Sequence, residues 1–186
     1  MSNKKIKIII GGVLFVLILL VGFYVYIKPN TPDYYLFEKI DTENQTGGNK
    51  INAKIFFVAL DDKGKQGKKI GCDDSIVPVW VTASSSSPLR SVLETLLSQK
   101  DQFVTDGALM NSLYASSLSI QSVSIDASGI ARMYLKGSMS LGGVCDSPRF
   151  KAQIEETALQ FGTVKKVEIY INGASLDALL SEKGDE

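Results

Sequence analysis

The chain has 186 residues, room for one ordinary domain and an extension. Its 20 basic and 20 acidic residues cancel, but Lys4, Lys5, Lys7 and Lys28 are the only charges before residue 29, which leaves 16 basic against 20 acidic, net −4, for the rest. That balance argues against nucleic-acid binding, which needs a basic face. The absence of histidine excludes Ser-His-Asp and Cys-His catalysis, imidazole acid–base work and His-ligated metal.

Residues 1–7 are a lysine-bearing leader, and Ile8 to Ile27 follow without a charge. At about 1.5 Å rise per residue this run spans about 30 Å as a helix, one hydrocarbon core. Tyr24 and Tyr26 sit near one end, where amphipathic rings favour the interface. Three lysines before the span against one just after it predict a cytoplasmic N-terminus and an external C-terminal domain. A cleaved signal peptide would have a shorter apolar region and a small-residue site, and Lys28-Pro29-Asn30 is a poor one. The expected location is therefore the bacterial cell membrane, as a single-pass protein.

Residues 28–50 read as a linker, with Pro29, Pro32 and an Asn/Gln/Thr/Gly stretch. Tyr34-Tyr35-Leu36-Phe37 is its apolar exception, read as a segment resting on a surface. A domain over residues 51–180 begins with Ile55 to Leu60, an apolar run expected as a strand covered on both faces. Ile76 to Thr82 is β-rich, with Pro78 demoting it towards an edge strand. Ser87 followed by Pro88 predicts a helix start, and Leu89, Val92, Leu93, Leu96 and Leu97 form one apolar face. The serine run Ser84 to Ser87 has no base to activate it and reads as loop.

Residues 101–117 predict an irregular connection with a helical turn around Leu109. Leu118 and Ile120 alternate, then Val123 and Ile125 alternate in the other phase, which predicts a β-bulge near Ser122. Asp126 to Gly129 is a hairpin turn leading to a half-buried strand through Ala131, Met133 and Leu135. Ser147-Pro148 repeats the helix-start signature, Phe150, Ile154, Ala158 and Phe161 make an apolar stripe, and Gly162 is expected to end the helix. Val167, Ile169 and Ile171 predict a strand closed by Asn172-Gly173. Leu176, Leu179 and Leu180 suggest a last short helix before an acidic tail, 181–186. The order β-β-α-β-β-α-β predicts an α+β fold, a mixed or antiparallel sheet of four to five strands with two helices on one face, plus the N-terminal transmembrane helix.

Cys72 and Cys145 are the only cysteines. In an external compartment a disulfide is permitted, and free buried thiols are the alternative. Both adjoin aspartates, which oppose a reactive thiolate. The pairs Asp61-Asp62 and Asp73-Asp74 do not match a calcium loop and read as turn aspartates. No glycine-rich phosphate motif occurs, so no cofactor, metal or catalytic residue is expected.

Several segments together resemble the GerMN domain, a sporulation and spore-germination module. They are Lys54 to Leu60, Ile76 to Val79, the leucine-rich helix Pro88 to Ser98, the hairpin at Asp126 to Gly129, and Gly162 to Gly173 with its V-x-x-V strand and N-G turn. The resemblance implies a non-catalytic extracytoplasmic domain that acts through envelope proteins or self-association, including ring-like assembly. The competing expectation is a cell-wall glycan-binding or peptidoglycan-processing protein, for which the sole tryptophan, Trp80, is the natural stacking surface.

Overall fold

The computed structural model describes residues 50–182, the side chain of Glu182 aside. The predicted membrane span, the linker up to residue 49, the Tyr34–Phe37 segment and residues 183–186 of the tail lie outside the described residues. Among the described residues no helix is long and apolar enough to cross a membrane.

The elements follow as β1 (Lys50–Ala59), β2 (Lys68–Lys69), a 3-10 turn (Gly71–Asp73), β3 (Ser75–Ser84), α1 (Pro88–Ser98), β4 (Phe103–Val104) and β5 (Leu109–Met110). Then come β6 (Ser117–Ile125), β7 (Ile130–Ser138), α2 (Asp146–Leu159), β8 (Lys166–Ile171), β9 (Ala174–Ser175) and α3 (Leu176–Glu182). The α+β class holds, but the single sheet expected from the sequence is two. One has five strands in the order β2-β3-β1-β5-β4, the other four in the order β6-β7-β8-β9. β2, β4, β5 and β9 are two residues each, too short to carry a periodicity, and no pattern within a single long strand specifies which of the others it pairs with. Leu109, expected in a helical turn, is in β5, where it pairs with Val104.

In the first sheet β1 and β3 pair antiparallel over their whole length, Lys50 opposite Ser84 and Ala59 opposite Ser75. Their odd-numbered side chains, among them Ile55, Phe57 and Val77, face the main core. Val58, Ile76 and Met110 form a smaller cluster with Phe56, Ile70 and Ala152. The expectation that the apolar run is covered on both faces therefore holds at Phe57–Ala59, while Leu60 is already exposed. Pro78 sits where β3 has β1 on one side only, because β2 pairs no further than Ser75 and Ile76. A residue without an N–H is tolerated there.

The second sheet is mixed. β6 and β7 form an antiparallel hairpin, and β7 runs parallel to β8 through six pairs from Ile130–Lys166 to Leu135–Ile171. The register of β6 slips between Ile120 and Ser122, so Gln121 is the extra residue of a bulge. This slip keeps Leu118, Ile120, Val123 and Ile125 on one face despite the break in their spacing. Gly137 has φ +124°, and a Cβ there would lie 1.7 Å from the Ser117 carbonyl oxygen, so only glycine fits. The Asn172 side chain donates to the Gly137 carbonyl at 2.8 Å and accepts from its N–H at 3.2 Å, prolonging the ladder past the end of β8. Asn172 and Gly173 both have positive φ, as the turn to β9 requires.

The helices do not lie side by side on one sheet face, as the sequence had suggested. α1 packs against β1, β3 and β6, reaching both sheets, and α2 packs against β1, β3, β8 and α1. The leucine stripe of α1 is buried as expected, with Ser87 as N-cap and Pro88 in the first turn. α2 begins at Asp146, not after Ser147. The chain is already turning there, since the Asp146 N–H donates to Gly143 O and its carboxylate accepts from Gly142 N–H. Gly162 does not take a left-handed φ; the helix leaves through turns at Phe161 and Val164.

Candidate interaction surface and the disulfide pole

Cys72 and Cys145 meet. They are disulfide-bonded with Cα atoms 5.8 Å apart, linking the turn between β2 and β3 to the start of α2 across 73 residues of sequence. Cys72 is exposed and lies in the left-handed region, as does Asp73. Beside the bridge, Asp74 is 1% exposed and accepts from Arg149 Nε at 2.6 Å and from the Asp61 N–H at 2.8 Å. Arg149 also donates to Asp146 at 3.2 Å. A buried carboxylate thus has a charged partner and a backbone donor, the condition under which burial is tolerated.

Asp62 lies nearby, bonded to the Ser75 hydroxyl next to Asp74. Burial works against its ionisation, but the Ser75 hydroxyl and the N–H groups of Gln66 and Gly64 outweigh it and hold its pKa below the usual carboxylate value. These aspartates are ligands of the fold's own backbone and of Arg149. Among the described residues no group of three His, Cys, Asp or Glu side chains could hold a metal ion.

The polar residues of α2 carry no expectation from the sequence. Gln153 and Thr157 are fully buried. Gln153 Nε2 donates to Phe56 O at 2.9 Å, and its Oε1 accepts from the Ser112 N–H and hydroxyl. The Phe56 N–H donates to Thr157 Oγ1 at 3.3 Å. The Lys54 N–H donates to Gln160 Oε1 at 2.7 Å, and Gln160 Nε2 returns a bond to Lys54 O. Positions 153, 157 and 160 stand on one helix face, and positions 54 and 56 share an edge of the strand. Helix side chains therefore take the place of a neighbouring strand along β1, which β5 joins only at Val58. The i, i+4, i+7 spacing of polar residues beside the apolar stripe is the signal that could have found this.

Two surfaces remain open to contacts. On the outer face of the second sheet, Ser122, Tyr134, Tyr170 and Ser175 stand in one row across the four strands. The two tyrosine rings stack at 4.9 Å with 13° between planes. In the next row Arg132 bridges Asp126 at 2.7 Å and Glu168 at 3.0 Å. The Ser128 hydroxyl, the Ile130 N–H and Arg132 hold the Asp126 pKa well below the usual range. Lys166, bonded to Glu168, lowers the pKa of that carboxylate, with help from Arg132. The face is a fixed array of rings and paired charges. On the outer face of the first sheet Trp80 is 59% exposed, with Lys54 Nζ 4.8 Å from its ring centroid.

The family model described as sporulation and spore germination (Germane) matches residues 54–177. No curated protein matches the chain. Among solved structures, the first GerMN domain of the sporulation protein GerM from Bacillus subtilis is 18% identical with a TM-score of 0.49, covering 67% of this chain and 85% of that one. The tandem GerMN domains of the same protein are 13% identical with a TM-score of 0.49, covering 72% of this chain and 44% of theirs. The family match takes in both sheets and the helices between them, from β1 to the start of α3, and on that ground the chain belongs to the sporulation and spore germination family.

Proposed function

We propose that this protein is a non-catalytic, membrane-anchored domain that works outside the cytoplasmic membrane by binding other proteins of the bacterial cell envelope. Family membership, the uncharged run Ile8–Ile27 and the bridge between Cys72 and Cys145 support this reading. The observation that carries it is the outer face of the second sheet. Its aromatic pair and its Arg132 network are held in place before any partner arrives, which lowers the ordering cost of binding.

A photo-crosslinking residue at Tyr134 of the full chain tests the interaction in living cells. Discrete adducts with envelope proteins are expected there and not from the same residue at Asp106, in the exposed β4–β5 turn. Equal, diffuse labelling at both positions would remove the support for a dedicated face. A reporter active only outside the membrane, fused after Glu186, tests the topology and is expected to be active.

The glycan reading draws on Trp80, whose exposed ring could stack on a sugar. Saturable binding of the full chain to purified peptidoglycan, abolished by Trp80→Ala, would replace the protein-binding reading with that one.

A further inference from the structure

The long strand edges of this molecule are not treated alike. β1's free edge is occupied by Gln153, Thr157 and Gln160. β3's outer edge is interrupted by Pro78, which has no N–H to offer a new strand. β6 closes one side of the second sheet, and among the described residues no strand pairs with its outer side over nine residues. It carries no proline and no charge, two of the devices that usually block an edge.

The pattern along β6 is also its own mirror. Around the Gln121–Ser122 step, Ile120 is matched by Val123, Ser119 by Ser124, and Leu118 by Ile125. The bulge makes this symmetry real in space. Leu118, Ile120, Val123 and Ile125 lie opposite Gly137, Leu135, Met133 and Ala131 on the inner side, while Ser119, Ser122 and Ser124 lie opposite Lys136, Tyr134 and Arg132 on the outer side. Leu118 is buried, but Ile120 and Val123 are only half-buried and Ile125 is 39% exposed, where a central strand would bury all four. Two copies of β6 placed antiparallel would set Ile120 against Val123 and Leu118 against Ile125 on one face, with Ser119 against Ser124 on the other. A two-fold axis needs such a self-complementary patch.

We infer that β6 is the pairing edge of a symmetric homodimer, in which the two four-stranded sheets join into one of eight strands. The partner this edge fits is a second copy of the chain. An unrelated extended peptide would gain the same main-chain bonds but not the matching of faces. Arg90 donates to Ile120 O at 3.1 Å, and the second lone pair of that carbonyl leaves room for a ladder bond. Pairing closes after two copies, because each dimer consumes both β6 edges. This inference deepens the interaction reading by naming one partner.

The test uses the full chain in detergent micelles, followed by sedimentation from about 1 to 100 μM, a range in which weak symmetric pairs form. The wild type is expected to pass from monomer to dimer and stop, with amides 122–125 exchanging more slowly as concentration rises. Ser119→Lys with Ser124→Lys places like charges opposite each other twice across the axis, and should weaken the dimer about tenfold. Ser119→Lys with Ser124→Glu places opposite charges there and should restore it. A wild type that stays monomeric, a Lys/Lys variant that dimerises as well as wild type, or growth beyond dimers would each overturn the inference. If the Lys/Lys variant does not fold, the Lys/Glu variant decides alone: a folded Lys/Glu monomer refutes the pairing and a dimer supports it. Crosslinks to other envelope proteins at Tyr134 are a separate readout, so failure here leaves the broader reading standing on its own test.

Discussion

The two longer helices are held by different physics. α1 buries Leu89, Val92, Leu93, Leu96 and Leu97 along one stripe and owes its place chiefly to apolar contact with both sheets, its bonds to strand backbone being those of Arg90 and Ser91 near its start. α2 buries Phe150, Ile154 and Ala158, but beside them it also buries Gln153 and Thr157. Its position is fixed by hydrogen bonds to the backbone of β1, by the Arg149–Asp74 pair and by a covalent bridge at its first turn. An apolar stripe says that a helix must be covered but tolerates sliding; directional bonds to particular carbonyl and amide groups specify one register.

The comparison can be broken first at the bridge. Reducing Cys72–Cys145 frees a loop of 73 residues' separation, and the chain-entropy account gives a loss of up to about 4 kcal/mol. The single Cys72→Ser and Cys145→Ser variants and the double variant should lose similar amounts in urea titrations, because one bond is lost in all three. Additive losses would show that each sulfur contributes packing of its own.

Next comes α1. Leu96→Ala should cost about 3 kcal/mol, as expected for a leucine with no exposed surface. Gln153→Ala in α2 should cost about 2 kcal/mol, because it leaves the Phe56 carbonyl and the Ser112 amide without their partner. The sharper contrast is in hydrogen exchange. Leu96→Ala should loosen the whole domain, whereas Gln153→Ala should speed exchange at Ser112, whose N–H loses its acceptor, beyond the global loss. If both variants change exchange uniformly, the two helices are anchored in the same way.

The smallest effect is electrostatic. Asp62's pKa is lower in the folded chain than its ordinary value, so the unfolded chain binds more protons in acid. The stability it contributes is fully present above about pH 4 and is lost as the pH falls through the folded-state pKa. Asp62→Asn should flatten the dependence of stability on pH below about 4 and leave its slope near neutrality unchanged.

This contrast also explains what the sequence made legible. The α1 stripe, the hairpin at Asp126–Gly129, the bulge beside Ser122 and the Asn172-Gly173 turn are local patterns, and each was readable. What depends on contacts between distant segments was not. Gln153 and Thr157 read as the solvent side of a helix until β1 is placed beside them, and β5 has meaning only against Val58 and β4. The bond between Cys72 and Cys145 was one of two open readings, because only the folded chain shows that the 3-10 turn and the start of α2 adjoin. The Ser147-Pro148 signature places the helix start two residues late, since the chain is already bent at Gly143 and Asp146.

The occupation of β1's edge by α2 has a consequence for the order of folding. The bonds from Lys54 and Phe56 to Gln160 and Thr157 span 106 and 101 residues, whereas the β6–β7 hairpin closes over a short turn. Hairpins form in about 1–10 μs, while contacts of high sequence separation must wait for loop closure. During that interval β1 exists with one bare side. The strand whose edge is best covered in the native protein is thus the one left uncovered longest as the chain folds, and early association should run through β1, by a route the finished domain no longer offers.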